Sequence, residues 1–164
     1  MPKLIKDGVL IDNIWQQVSL DKEDPLPSGN VLVSMEYWNA HQAEICQRLE
    51  SVGLLIEPSE TPDSIVSEDL NTIAIIAVNF PAFADGRGFS IARLLRGRYS
   101  YRGEIRAVGA PIRDQLSYLM RVGFNAVELA EHYDAEQAIA SLKDFSDNYQ
   151  TSVEQPLPLF RRRS

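Results

Sequence analysis

Ile73-Ala74-Ile75-Ile76-Ala77-Val78 is the most apolar run in the chain, and its reading decides the fold class. Six consecutive residues without a polar side chain do not suit a strand with one wet face. They predict a central strand buried on both faces, as in a parallel sheet covered by helices. Similar runs lie to either side: Val31-Leu32-Val33 and Leu54-Leu55-Ile56 upstream, Ile105 to Val108 and Ala126 to Leu129 downstream. Helical patterns separate them. Trp38, Ile45, Leu49 and Val52 recur near helical spacing, with Gly53 suited to the position just past the helix. Thr61-Pro62 offers an N-cap and a first-turn proline for a short helix to about Leu70. Ile91, Leu94 and Leu95 mark one side of a helix closed by Gly97. Ile112, Leu116, Leu119 and Met120 form the stripe of another, begun at Pro111 and stopped by Gly123. Asp134 with Gln137 opens a helix carrying Ala138, Ile139, Leu142 and Phe145.

The expected fold is therefore α/β, a mostly parallel sheet of about five strands alternating with helices through right-handed crossovers. Strand order stays open, and a three-layer sheet and a partial βα barrel both fit. Ahead of this core, Lys3-Leu4-Ile5-Lys6 and Val9-Leu10-Ile11 flank Asp7-Gly8, which predicts an N-terminal β-hairpin within residues 1–20. Residues 1–147 are expected to form one α/β domain. From Asn148 the pattern dissolves, and 148–164, with Gln155-Pro156-Leu157-Pro158-Leu159-Phe160 and three arginines, reads as an extended C-terminal tail.

The chain holds 164 residues with a net charge of −7, and this acidity argues against general nucleic-acid binding. Cys46 is the only cysteine, which excludes an intramolecular disulfide and a cysteine-based metal cage. It falls at an inward helical position and is expected to be a small core residue. No stretch is long and apolar enough for a signal peptide or a membrane span, so a cytoplasmic location is expected. Trp15 and Trp38 read as packing anchors.

The acidity hides a local reversal. Eight of the twelve arginines lie between residues 87 and 121, with no lysine among them and only Glu104 and Asp114 against them, a local charge of +6. Arginine without lysine suggests the planar fork that binds oxyanions and carboxylates two bonds at a time. In parallel α/β folds ligands gather at the carboxyl ends of strands, where helix N-termini also point. That rule selects Arg87, in the Asp85-Gly86-Arg87-Gly88 loop ahead of Ser90, and Arg113, in the first turn after the fourth predicted strand. Arg96, Arg98 and Arg121 sit at helix C-termini and are explained by the helix dipole; Arg93 and Arg102 need no functional account. Arg106 interrupts an apolar strand, so it must find a carboxylate or carbonyls, with Glu128, Asp114 or a ligand anion as candidates.

The expected ligand-binding set is thus Asp85, Gly86, Arg87, Gly88, Ser90, Arg106 and Arg113. Gly86-Arg87-Gly88 begins a dinucleotide fingerprint but Ile91 stands where the third glycine belongs, and no P-loop lysine is present. The glycines instead suggest a turn that lets backbone approach something closely. His132, after the last predicted strand, and Asp85 are the candidates for acid–base work. No flavin, nicotinamide, haem or iron–sulfur motif is visible, so no cofactor or metal is expected.

The run Phe80-Pro81-Ala82-Phe83-Ala84-Asp85-Gly86-Arg87-Gly88-Phe89-Ser90-Ile91-Ala92-Arg93-Leu94-Leu95-Arg96 resembles the signature of an uncharacterised bacterial family, domain of unknown function 934. So does Tyr101-Arg102-Gly103-Glu104-Ile105-Arg106-Ala107-Val108-Gly109, continuing to Gly123-Phe124. The resemblance implies a role in sulfite reduction, under an oxidoreductase label that leans on gene neighbourhood with sulfite reductase and phosphoadenylylsulfate reductase. The family pattern has an acidic residue where this chain has Ala110 and a cysteine where it has Val122, so neither function is essential at those positions. Three readings follow: an accessory protein of sulfite reduction and sulfate assimilation that binds an oxyanion, a nucleotide sulfate or a reductase partner; a small oxidoreductase or other enzyme; and a docking module using the C-terminal tail.

Overall fold

The computed structural model describes residues 3–48, 51–65, 70–82, 85–111, 113–142, 152 and 156. Eight strands, β1 (Lys3–Lys6), β2 (Val9–Ile11), β3 (Trp15–Gln17), β4 (Asn30–Ser34), β5 (Val52–Ile56), β6 (Ile75–Phe80), β7 (Glu104–Gly109) and β8 (Ala126–Leu129), form one mixed sheet. Their order is β2-β1-β8-β7-β6-β5-β4-β3. The helices are α1 (Met35–Ala40), α2 (Gln42–Ile45), α3 (Arg87–Gly97), α4 (Leu116–Val122) and α5 (Ala135–Leu142).

The five-stranded expectation is corrected by this sheet. The hairpin of β1 and β2 is part of it, because β1 pairs antiparallel with β8, Leu4 opposite Glu128 and Ile5 opposite Val127. At the other edge, Trp15-Gln16-Gln17 pairs in parallel with β4. Two glutamines in three residues hide that strand from any apolar pattern, and only its partner reveals it.

From β4 to β8 each parallel strand lies beside the next in sequence, so right-handed crossovers place all their helices on one face. The three-layer arrangement is thereby excluded. Alternation along each strand sends Val31, Val33, Leu54, Ile56, Ile76, Val78, Ile105, Ala107, Val127 and Leu129 to the large core beneath the helices. The opposite face carries a separate small cluster of Leu32, Leu55, Ile75, Ala77 and Val108, with Trp15 packed on it.

That second face is the inside of a curl. Residues 12–14 join β2 at one edge to β3 at the other. A flat sheet of this width would separate its edges by roughly 33 Å, whereas the chain from Ile11 to Trp15 reaches at most about 14 Å. The sheet therefore bends into a half-barrel with the 12–14 segment as a strap across its mouth.

Other local expectations also change. Ser34 caps α1 by accepting from the Tyr37 N–H at 3.2 Å, and the helix stops short at His41 before the single turn of α2. Val52 and Gly53 belong to β5, because pairing with Val31 and Leu32 of β4 outweighs their helical spacing. Cys46 is exposed because the helix breaks at His41, and in the new turn Ile45 rather than Cys46 takes the inward position. The stretch after Thr61-Pro62 is a 3-10 turn, Pro62–Ser64. Leu49, Ile112, Phe145 and the tail apart from Ser152 and Pro156 lie outside the described residues. Among the described residues no helix is long and apolar enough to cross a membrane.

Candidate functional site

At the carboxyl edge, β6 delivers the chain to α3, and Arg87 is the first residue of that helix. Its guanidinium closes on Asp85 as a fork, Nε donating to Oδ1 at 2.9 Å and Nη2 to Oδ2 at 2.6 Å. The Arg87 backbone N–H also donates to Oδ1, at 3.2 Å. Hydrogen bonding to Arg87 holds the Asp85 carboxyl below its ordinary range, and Asp85 raises Arg87 in return. A helix N-terminus and a guanidinium are the two elements of an anion site. Here the chain's own carboxylate occupies them.

Gly88 explains the tight turn differently from the expectation of ligand approach. A Cβ at Gly88 would meet the Phe80 ring at 2.6 Å, so this glycine seats α3 on the core. Gly86 and Ser90 are exposed. Arg113 lies at the same edge in a 3-10 turn, Arg113–Gln115. His132 is exposed, with its ring 4.1 Å from that of Tyr133, and no hydrogen bond or ion pair joins it to Asp85 or Arg87. The edge also carries Glu57 and Glu60; Glu57 accepts from Asn79 Nδ2 at 2.9 Å, and its own N–H donates to Glu60.

Arg106 is elsewhere. It points into the half-barrel and is 1% exposed. Its partner is Glu104, two residues earlier and therefore on the same strand face, through Nε at 2.8 Å and Nη2 at 2.7 Å. Nη1 donates to Asn13 Oδ1 at 2.8 Å, and Asn13 Nδ2 donates to Glu128 at 3.1 Å. Lys6 completes the cluster with a 2.8 Å bridge to Glu104. Of the expected partners Asp114 plays no part, and Glu128 is reached through Asn13. Burial pushes the Glu128 carboxyl above its ordinary range, against the opposing influence of Arg106 and Asn13. The cluster pins the strap to the inside of the sheet. Sequence spacing could have suggested Glu104, but Asn13 comes from a loop that nothing local places there.

Four further arginines, Arg96, Arg98, Arg102 and Arg121, lie toward the amino edge. Arg96, in the last turn of α3, donates from Nε to the Gly123 carbonyl at 2.9 Å and from Nη1 to the carbonyls of Tyr101 and Gly103 at 2.7 and 2.8 Å. Nη2 reaches Asn125 Oδ1 at 3.3 Å. Every acceptor is uncharged. Gly123 ends α4 at φ +119°, a conformation suited to glycine, and this turns its carbonyl toward Arg96. Burial pushes the Arg96 pKa down, yet a guanidinium keeps its charge in a protein. Tyr101 is anchored by its hydroxyl donating to the Ile73 carbonyl at 2.9 Å, which fixes the loop leading into β7.

Arg96 forms one wall of a cleft of about 470 Å³ lined also by Ser100, Tyr101, Arg102, Met120, Gly123, Phe124 and Asn125. No carboxylate lines it. Arg102 is exposed there with a side chain free of partners among the described residues, while its backbone N–H donates to Asn71 at 2.8 Å. Nearby, Arg121 Nε is buried without a hydrogen-bond partner. Arg98, by contrast, is bridged to Asp63 at 3.3 Å. Chemically the cleft offers fixed positive charge without an acid–base pair. The helix-dipole account of Arg96 missed it, although four of the eight clustered arginines fall near helix ends or entering loops on this edge.

Among the described residues no group of three or more His, Cys, Asp or Glu side chains is arranged to hold a metal ion. No curated protein matches the chain. A family model described as a bacterial protein of unknown function matches residues 53–160, from β5 onward, and the chain belongs to that family, DUF934.

Proposed function

We propose that the chain is an anion-binding accessory protein of bacterial sulfite reduction and sulfate assimilation, which holds an oxyanion or a nucleotide sulfate in the amino-edge cleft. One observation carries this reading: Arg96 and Arg102 share a cleft whose lining contains no carboxylate. Elsewhere in the segment Arg87, Arg98 and Arg106 each have an acidic partner. An oxyanion is the missing partner of the first two. Its hydrogen bonds to guanidinium are charge-assisted, each contributing about 1.5–3 kcal/mol. The cleft volume suits a small ligand. The sulfur setting comes from the genomic company implied by the family resemblance and is an association.

A sulfite reductase or phosphoadenylylsulfate reductase partner is not assigned to the Arg87 fork, because Asp85 already pairs that charge. Calorimetric titration with sulfite, sulfate and the adenosine phosphosulfates tests the ligand. Arg102→Ala should weaken binding at least tenfold, about 1.4 kcal/mol, while Arg87→Ala leaves it unchanged. Absence of heat with every ligand would remove the small-molecule reading. Equal loss in both variants would move the seat to the carboxyl edge.

A further inference from the structure

We propose that β2 is a self-association edge, through which two copies of the chain pair their sheets antiparallel about a twofold axis at Leu10. The inference rests on the sheet, not on the anion cleft. β2 is the terminal strand of the order, with β1 on its inner side and no strand outside it among the described residues. Its three residues are all apolar and all exposed: Val9 at 60%, Leu10 at 47% and Ile11 at 40%. Ile14, on the strap that follows, is 66% exposed. An edge that stays in water ordinarily carries a lysine, a proline or a bulge to block pairing. β2 has none of these within it, whereas the opposite edge presents Gln16 and Gln17.

Backbone geometry fixes which groups are offered. Asp7 and Gly8 both have positive φ, +50° and +78°, so β1 and β2 are joined by a two-residue turn of type I′. Such a turn closes on a hydrogen-bonded pair, here Lys6 with Val9. Alternation then turns the N–H and C=O of Leu10 outward.

The sequence selects a second copy as the occupant. Antiparallel pairing centred on Leu10 sets Val9 opposite Ile11 twice and Gly8 opposite Asp12 twice. No two like charges face each other, and apolar residues meet apolar residues. A twofold interface needs one patch that complements itself, and β2 meets that condition. The four exposed side chains offer roughly 400 Å² of apolar surface per copy. That is about half of what a standard interface buries per partner, and the paired main chains and strap add to it, so a concentration-dependent dimer is expected rather than a permanent one.

Sedimentation of the full-length chain over a broad concentration range tests the proposal. The parent should pass from monomer to dimer, and Leu10→Lys should raise the dissociation constant at least tenfold while keeping the parent's circular dichroism. A register-specific check uses Cys46→Ser as background. Leu10→Cys should then form a disulfide-linked dimer on mild oxidation, because Leu10 faces its own copy, and Val9→Cys should not. A parent that stays monomeric throughout overturns the proposal. So does a dimer that survives Leu10→Lys, or one whose crosslinking does not distinguish positions 9 and 10.

Discussion

Arg87 and Arg96 stand at opposite ends of one helix, and their partners are of opposite kinds. Arg87 closes on the carboxylate of Asp85. Arg96 is held by three carbonyls and an amide oxygen. The first charge is neutralised in open solvent by a direct carboxylate partner; the second is fixed in place by neutral acceptors, and the carboxylate of Asp7 acts on it only through space. Position at a strand end therefore does not decide whether an arginine is available to a ligand. The charge of its nearest acceptors does.

Arg106 separates the two variables in this comparison, since it has an acidic partner like Arg87 but is buried. Arg106→Leu should lower unfolding free energy by about 3–5 kcal/mol, because it strands Glu104 without its main counter-charge and frees the strap. Urea denaturation measures this, and a loss as slight as that expected for Arg87 would mean that burial matters less than partner type. Arg96→Met should cost about 3 kcal/mol in the same assay by leaving several buried acceptors without donors. Arg96→Lys should recover only part of that, since an ammonium cannot span the same four acceptors.

A smaller effect concerns Glu128, whose carboxyl is raised by burial. A raised folded pKa means that the native state holds the proton more tightly than the unfolded chain does. This contribution to stability is complete below the unfolded value and is lost as pH rises through the folded one. The stability of Glu128→Gln relative to the parent should thus improve from acid toward neutrality; a flat difference would remove the burial account. The smallest effect is expected for Arg87→Ala, whose unfolding midpoint should match the parent's. Its signature is instead the Asp85 titration followed by NMR, which should move back up toward the ordinary carboxylate range.

The central strands were legible because Ile75 to Val78 and their neighbours are apolar on both faces. The antiparallel placement of β1 was not, since Lys3-Leu4-Ile5-Lys6 says nothing about β8. β3 was hidden by its glutamines, and the curl by a strap whose length matters only once both of its ends are known to be edges. The candidate site followed the same division. Arg87 lies at the carboxyl edge as its loop position implies, but Asp85, expected as a ligand-binding residue and a candidate acid or base, itself fills the anion position beside Arg87. Arg106 was recognised as a buried charge in need of a partner, but Asn13 is 93 residues away in the chain. The amino-edge cleft joins two loops brought together only by neighbouring parallel strands, and helix-end reasoning about each arginine alone could not assemble it.

The pairing of β1 with β8 also sets an order of events during synthesis. Lys6 lies opposite Ala126, so the first strand made finds its place only after almost the whole fold has left the ribosome. Until then the hairpin has no sheet to join, and closing so long a loop is slow relative to local helix formation. The nascent chain thus holds β1 without its inner partner until β8 emerges, while the outer edge of β2 stays open both before and after that pairing.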